Sequence, residues 1–176
     1  MKTIVWPYIE HARHLIMIER KGFGNMFRHQ VETFAILIEF GYDDPVLLKA
    51  SLIHDLIEDG PKAGFTDFDR IIATDHDGQE VYNLVQELTR RTAGGREEPK
   101  AVFLERIMQT GTLHARLLKL ADRLSNVNSL FATNNKEFIQ RYCLETRDHI
   151  MPYADTIDKK IAAELRKSLK KLKGFG

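Results

Sequence analysis

Four polar or charged side chains stand close together beside a strongly apolar stretch of the chain. His54 and Asp55, then Glu58 and Asp59, follow residues 46–53, which are apolar except for Lys49 and Ser51. Burying such groups without partners is costly. At about 100° per residue, a continuous helix places all four over one side, within about 140°. Because three carboxylates with no Lys or Arg among them repel one another unless a cation lies between them, the pattern indicates a divalent metal site.

Two other segments add groups of the same chemistry. Asp122 and Asn126 are four residues apart on an apolar helical pattern and so share a face, and His29 comes at the start of an earlier one. With His54 and Asp55, they offer two imidazoles and two carboxylates, a set that suits Mn²⁺, Fe²⁺ or Zn²⁺ rather than Ca²⁺. An ion with open positions can activate a water and polarise a phosphate, which is what phosphate hydrolysis needs.

The elements that position these groups are predicted to be helices. Apolar residues recur at helical spacing, and no hairpin turn separates two alternating β-branched runs, so we predict an all-α, single-domain helical bundle. Residues 90–99, with Gly94 and Gly95, are predicted to be a mobile surface loop. The predicted helices cover about residues 8–20, 28–40, 44–59, 66–74, 79–89, 100–108, 114–130 and 136–169, with Pro152 as a candidate bend.

Length and composition exclude several classes of protein. The chain has 176 residues, with 26 Lys and Arg against 25 Asp and Glu, a net charge of +1. One domain is the expectation at this length, and the charge balance disfavours nucleic-acid and membrane partners. Cys143 is the only cysteine, which excludes an intrachain disulfide. Without a long apolar run or a signal-peptide pattern, we expect a cytoplasmic protein.

The order of these residues resembles a known signature. His29, then His54-Asp55, then Asp122 is similar to the H…HD…D pattern of HD-domain phosphohydrolases, helical proteins in which those four side chains bind a catalytic metal. Residues 54–59 (HDLIED) and 118–126 (LKLADRLSN) resemble the HDxxED and LKLADRLxN segments of the Rel/SpoT hydrolase domain and the small alarmone hydrolases. The similarity runs in order from about residue 19 to residue 155.

The resemblance implies an activity and a set of site residues. Enzymes of this family use Mn²⁺ to remove the 3′-pyrophosphate from (p)ppGpp, which leaves GDP or GTP. Residues 1–176 would form one HD hydrolase domain, with a basic helix and tail at about 159–176. Glu58 and Asp59 match the acidic pair that positions and activates the attacking water. The implied substrate contacts are Arg20 and Lys21 beside the guanine, Asn126 at the ribose or phosphate, and Ser129 at the base.

Other functions remain open at this stage. The chain could be an HD phosphohydrolase for another nucleotide, such as an adenosine alarmone, a nucleoside monophosphate or NADPH. It could also be a catalytically silent HD module that retains a nucleotide. All these alternatives involve a small-molecule nucleotide, and all of them allow a homo-oligomer. The Glu58 and Asp59 pair favours an enzyme, because a module that only binds needs no water-activating base.

Overall fold

The computed structural model describes residues 2–21 and 24–173. Gly22 and Phe23, in the loop predicted before the second helix, and the tail residues 174–176 lie outside the described residues. Helices make up most of the described chain, which confirms the all-α prediction. Their bounds are α1 Lys2–Ala12, α2 Met26–Glu39, α3 Pro45–Ile53, α4 Leu56–Asp59, α5 Asp69–Ile72, α6 Gly78–Glu87, α7 Lys100–Thr110, α8 Leu113–Ser129, α9 Lys136–His149, α10 Met151–Ile157 and α11 Lys159–Lys173.

The described chain divides into two compact units. The first contains residues 2–20 and 24–89, and the second contains Lys21 and the residues from Arg90 onward. The prediction of a single HD hydrolase domain over residues 1–176 stays a prediction. No helix within the described ranges combines the length and the apolar character needed to cross a membrane.

Helix α3 is the centre of the first unit and contacts α1, α2 and α6. Its start follows from the sequence: the Asp44 side chain accepts a hydrogen bond from the Leu47 N–H at 2.8 Å, and Pro45 has the backbone angle of a first helical residue. Every residue of α3 from Leu47 to Ile53 is buried. The predicted central helix over 44–59 is therefore present as far as Ile53, where α3 ends.

Helix α8 has the same place in the second unit, where it contacts α7, α9, α10 and α11. The Thr112 hydroxyl accepts from the Ala115 N–H at 3.2 Å and so caps the first turn. Residues 117–125 of α8 are all buried, although four of them are polar or charged. Those four polar residues therefore need partners within the interior.

Three predicted helices have different bounds in the structure. Instead of a helix over 8–20, α1 ends at Ala12 and a 3₁₀ helix follows over Arg13–Met17. The chain then becomes extended, and the Ile18 carbonyl accepts from the Met26 N–H at 2.8 Å. The predicted 66–74 helix shortens to α5. The predicted 136–169 helix is three helices. The first boundary is at Ile150, next to the predicted bend at Pro152, which lies in the first turn of α10. The second is at Asp158, where the backbone leaves helical angles and the side chain caps α11 through the Ile161 N–H.

The predicted loop at 90–99 contains a small hairpin. Strands β1 (Thr92–Ala93) and β2 (Arg96–Glu97) pair in antiparallel register. Gly94 and Gly95 connect them with φ of 57° and 74°, the left-handed angles that a tight two-residue hairpin turn requires. The sequence pattern missed this hairpin because its strands are only two residues long and lack alternating apolar residues.

Candidate metal centre

Helix α2 supplies the first histidine of the site. The Asn25 side chain accepts from the Arg28 N–H at 2.9 Å and caps the helix, so that His29 lies in its first turns. His29 is 1% exposed. The buried face of α2 consists of His29, Gln30, Thr33 and Leu37. This helix therefore turns a mostly polar face to the interior.

The predicted continuous helix through His54 and Asp55 is wrong. Helix α3 ends at Ile53, and Asp55 has φ −98° and ψ 0° before α4 begins. His54 Nδ1 lies 2.8 Å from the Ser51 carbonyl oxygen. In a continuing helix that carbonyl would accept from the N–H of Asp55, so the imidazole competes for it. The helical-wheel argument for one common side therefore does not apply to residues on either side of the break.

The break brings three ligand-type atoms of the first unit together. His54 Nε2 lies 3.2 Å from His29 Nε2. Asp55 Oδ2 lies 3.3 Å from His54 Nε2 and 3.6 Å from His29 Nε2. Both imidazoles are buried, and the Asp55 side chain is 22% exposed. Three of the four predicted metal ligands are thus neighbours.

The hydrogen bond at the far side of the His54 ring fits a metal ligand. A backbone carbonyl can only accept, so His54 Nδ1 carries the hydrogen that it shares with Ser51. In the neutral ring Nε2 then presents its lone pair toward His29 and Asp55. Metal-binding histidines are commonly oriented by such a bond from the other ring nitrogen. The donor set and its buried setting therefore suit a divalent transition metal.

Gln30 is a contact of this site that the sequence analysis missed. Its Nε2 donates to Asp55 Oδ2 at 3.0 Å. The only signal in the sequence is its position next to His29. Helical spacing alone did not indicate that Gln30 is buried, because the buried face of α2 is mostly polar and the apolar pattern does not mark it.

The two acidic residues after the break lie on the single turn of α4. Glu58 and Asp59 are both half-buried. The Asp59 carboxylate forms an ion pair with Lys62, which is 66% exposed, on the 3₁₀ helix that follows. The Asp59 N–H also donates to the Asp55 carbonyl at 2.9 Å, which joins α4 to the break.

The predicted basic pair lies outside the helices. Arg20 is half-buried, and its N–H donates to the Gly24 carbonyl at 3.1 Å in the turn that precedes α2. Lys21 is exposed. A β-bridge between Glu19 and Asn25 closes the same turn. The turn therefore holds Arg20 at the start of the helix that carries His29.

The fourth predicted ligand and two predicted substrate contacts belong to α8 in the second unit. Asp122 is 6% exposed, and Lys119 Nζ donates to its Oδ2 at 2.8 Å. The Asn126 amide donates to the carbonyl and to the carboxylate of Asp122. The Ser129 hydroxyl donates to the Asn126 carbonyl at 2.7 Å. Asp122, Asn126 and Ser129 thus line one face of α8.

The arginine that follows Asp122 in the LADRL segment has a structural environment. Arg123 is 2% exposed and donates to Glu145 Oε1 on α9 at 2.8 Å. Its guanidinium carbon lies 4.4 Å from the centre of the Tyr142 ring. Burial would raise the pKa of Glu145, but the nearby Arg123 and Lys100 outweigh it and lower that pKa. Arg123 therefore ties α8 to α9.

A second acidic group in the first unit already contains a cationic side chain. Asp75 and Asp77 lie beside His76, but Lys49 Nζ is 2.7 Å from Asp75 and 2.5 Å from Asp77. Lys49 is 1% exposed, and Tyr8 donates to Asp75 at 3.0 Å. The buried ammonium already contacts both carboxylates and offsets one of their two negative charges.

The chain is similar in sequence to known proteins. No protein-family model matches the chain. The chain is 30% identical over 139 residues to guanosine-3′,5′-bis(diphosphate) 3′-pyrophosphohydrolase MESH1 of Drosophila melanogaster, which covers 78% of this chain and 69% of that protein. It is 36% identical over 92 residues to MESH1 of Xenopus tropicalis, with 52% of this chain and 48% of that protein covered.

A solved structure shares the fold. It has a TM-score of 0.78 and 20% sequence identity, and the match covers 96% of this chain and 94% of the other. That structure is described as a metazoan ortholog of SpoT that hydrolyses ppGpp and plays a role in starvation responses. The likeness at this level of identity establishes the fold.

Proposed function

Because this chain belongs to the HD-domain Rel/SpoT hydrolase family that includes MESH1, we propose that it is a metal-dependent hydrolase of the alarmone (p)ppGpp. The observation that carries the proposal is the cluster of His29, His54 and Asp55, with two acidic residues on the next turn. The substrate is the one for which the MESH1 proteins of Drosophila melanogaster and Xenopus tropicalis are named.

The proposed reaction removes the 3′-pyrophosphate. A water oxygen bonds to the phosphorus that carries the ribose 3′-oxygen, and the bond between that phosphorus and the 3′-oxygen breaks. The 3′-oxygen takes up a proton, so that ppGpp gives GDP and pyrophosphate, and pppGpp gives GTP and pyrophosphate. Glu58 is the proposed general base for the water, and Asp59 is proposed to position it. Both need only hydrogen-bond reach to the water.

The proposed ligands of the metal are His29, His54, Asp55 and Asp122, and the proposed ion is Mn²⁺. When bound, such an ion lowers the pKa of a water molecule and offsets the negative charge of the phosphates. The support for the first three ligands is their mutual distances. The support for Asp122 is its place in the family segment at residues 118–126.

The proposed substrate contacts are carried over from the same resemblance. Arg20 has a planar guanidinium that can stack on guanine, and Lys21 provides a second positive charge beside it. Asn126 is proposed to contact the ribose or a phosphate, and Ser129 the base. The support for Asn126 and Ser129 is the face of α8 that they share with Asp122. A cytoplasmic location completes the proposal, since the single Cys143 needs no oxidising compartment.

The test is a hydrolysis assay on the purified chain. With Mn²⁺ and ppGpp, anion-exchange chromatography should show GDP and pyrophosphate in equal amounts. The His54→Ala variant, which removes one proposed ligand, should release neither. If the wild-type chain releases no more pyrophosphate than His54→Ala, the proposed function is wrong.

A panel of other nucleotides separates the alternative activities. An adenosine alarmone, a deoxynucleoside monophosphate and NADPH should each be hydrolysed more slowly than ppGpp at equal concentration. Faster hydrolysis of one of them would reassign the substrate within the same family. Tight retention of ppGpp without turnover would instead identify a binding module.

A further inference from the structure

Gln30 is a buried residue of α2 that contacts one of the proposed metal ligands. It is 0% exposed, and its Nε2 donates to Asp55 Oδ2 at 3.0 Å. The same oxygen is the one that lies 3.3 Å from His54 Nε2 and 3.6 Å from His29 Nε2. Because an ionised carboxylate only accepts hydrogen bonds, the amide must turn its NH₂ group toward Asp55. Gln30 thus contacts the atom of Asp55 that faces both imidazoles.

The carbonyl oxygen of the Gln30 amide makes no stabilising hydrogen bond with the described residues. Among the described residues, Gln30 Oε1 is buried and has no hydrogen-bond partner. A buried carbonyl oxygen without a partner destabilises the folded state, and an apolar side chain of similar volume would avoid this cost. Packing alone therefore gives no reason for glutamine at this position. A reason is provided by the contact with Asp55.

We propose that Gln30 is a positioning residue that holds the Asp55 carboxylate in place for metal binding. The inference rests on the proposed function, because it requires His29, His54 and Asp55 to bind a divalent ion. The hydrogen bond from Gln30 restricts the rotation of the Asp55 side chain, which is only partly buried. Loss of such an outer partner typically weakens metal affinity or activity by about 10- to 100-fold.

The experiment compares two apolar replacements on the same helix. Gln30→Met keeps the length of the side chain and removes its donor. Thr33→Val is the matched control: Thr33 is also fully buried, one turn later on α2, and its hydroxyl donates to the His29 carbonyl at 3.0 Å without contacting Asp55. Mn²⁺ affinity is measured by isothermal titration calorimetry. The thermal midpoint without metal is measured by circular dichroism.

We expect Gln30→Met to weaken Mn²⁺ binding by at least about 10-fold. Its metal-free thermal midpoint should stay within about 4 °C of the wild type, because the orphan carbonyl is removed as well. Thr33→Val should lower the midpoint and change Mn²⁺ affinity by less than about 3-fold. For ppGpp hydrolysis, excess Mn²⁺ should restore most of the kcat of Gln30→Met, a rescue that a purely structural defect would not show.

Three results would overturn the inference in distinguishable ways. Equal Mn²⁺ affinity in Gln30→Met and wild type would remove the positioning role and leave the proposed function intact. A wild-type chain that binds no divalent ion would overturn both. If Gln30→Met fails to fold, Gln30→Asn serves instead, because its amide is one methylene too short to make the same contact. Wild-type affinity in Gln30→Asn would likewise contradict the inference.

Discussion

The Nε2 atoms of His29 and His54 lie 3.2 Å apart in the interior of the first unit. The Ser51 carbonyl orients the His54 ring through Nδ1, so that in the neutral ring Nε2 presents its lone pair toward His29. Two buried imidazole nitrogens that face each other beside a carboxylate are a donor set that suits a divalent transition metal. This relationship underlies the first prediction.

Replacing either histidine should abolish metal binding. His29→Ala and His54→Ala should each weaken Mn²⁺ affinity by at least about 100-fold, because each removes a direct ligand. Loss of a residue that only hydrogen-bonds to a ligand already lowers metal affinity by about 10- to 100-fold. His76→Ala is the control, since the side chain of His76 is 87% exposed. Calorimetric titration with Mn²⁺ measures the effect. Unchanged affinity in His54→Ala would show that the ion binds elsewhere.

Glu58→Gln should separate catalysis from metal binding. Glutamine keeps the size of the side chain and cannot act as a base, so kcat for ppGpp should fall by about 10²- to 10⁴-fold. The Mn²⁺ affinity should change little, because Glu58 is not a proposed ligand. Steady-state kinetics and titration on the same preparation check both parts. A wild-type kcat in Glu58→Gln would show that Glu58 is not the general base and that Asp59 or another group has this role.

Lys49 should be a strong contributor to the stability of the first unit. Lys49→Met leaves the half-buried carboxylates of Asp75 and Asp77 together without their cation, so the free energy of unfolding at pH 7 should fall by about 3 kcal/mol. Urea unfolding measures the change. Adding Asp75→Asn and Asp77→Asn to Lys49→Met should recover part of the loss, and no recovery would contradict this explanation.

The same group predicts a pH dependence. Burial would raise the pKa of Asp75, but hydrogen bonds from Lys49 and Tyr8 outweigh it and lower that pKa. The stability from Asp75 is therefore present above its unfolded pKa of about 4 and is lost as the pH falls through its lower folded value. In Lys49→Met, protonation relieves carboxylate repulsion instead. The difference in the free energy of unfolding between wild type and Lys49→Met should therefore become smaller from pH 7 to pH 4. A difference that stays constant would contradict the role given to Asp75.

Arg123 should act on stability through α9. Arg123→Leu leaves Glu145 with only its more exposed partner Lys100 and removes the contact with the Tyr142 ring. We expect a loss of about 3 kcal/mol in the free energy of unfolding. Arg141→Leu, an exposed position on α9, should change it by less than about 0.5 kcal/mol. Equal effects of the two substitutions would mean that the pair of Arg123 and Glu145 contributes nothing to the free energy of unfolding.

The sequence predicted helices where capping residues and apolar periodicity agree. Asp44 with Pro45 marks the start of α3, and Gly41, with φ of 87°, follows the end of α2. It did not predict the break at His54, because the apolar pattern continues through it and the break depends on the Ser51 carbonyl. It also did not predict the contact between Gln30 and Asp55, because that contact joins residues 25 positions apart.

Anomalous diffraction from crystals grown with Mn²⁺ locates the bound ion directly. We expect one strong manganese peak bonded by His29, His54, Asp55 and Asp122. Loss of this peak in His54→Ala crystals under the same conditions would confirm the assignment. A peak bonded by Asp75 and Asp77 instead, or none at His54 in the wild type, would contradict it.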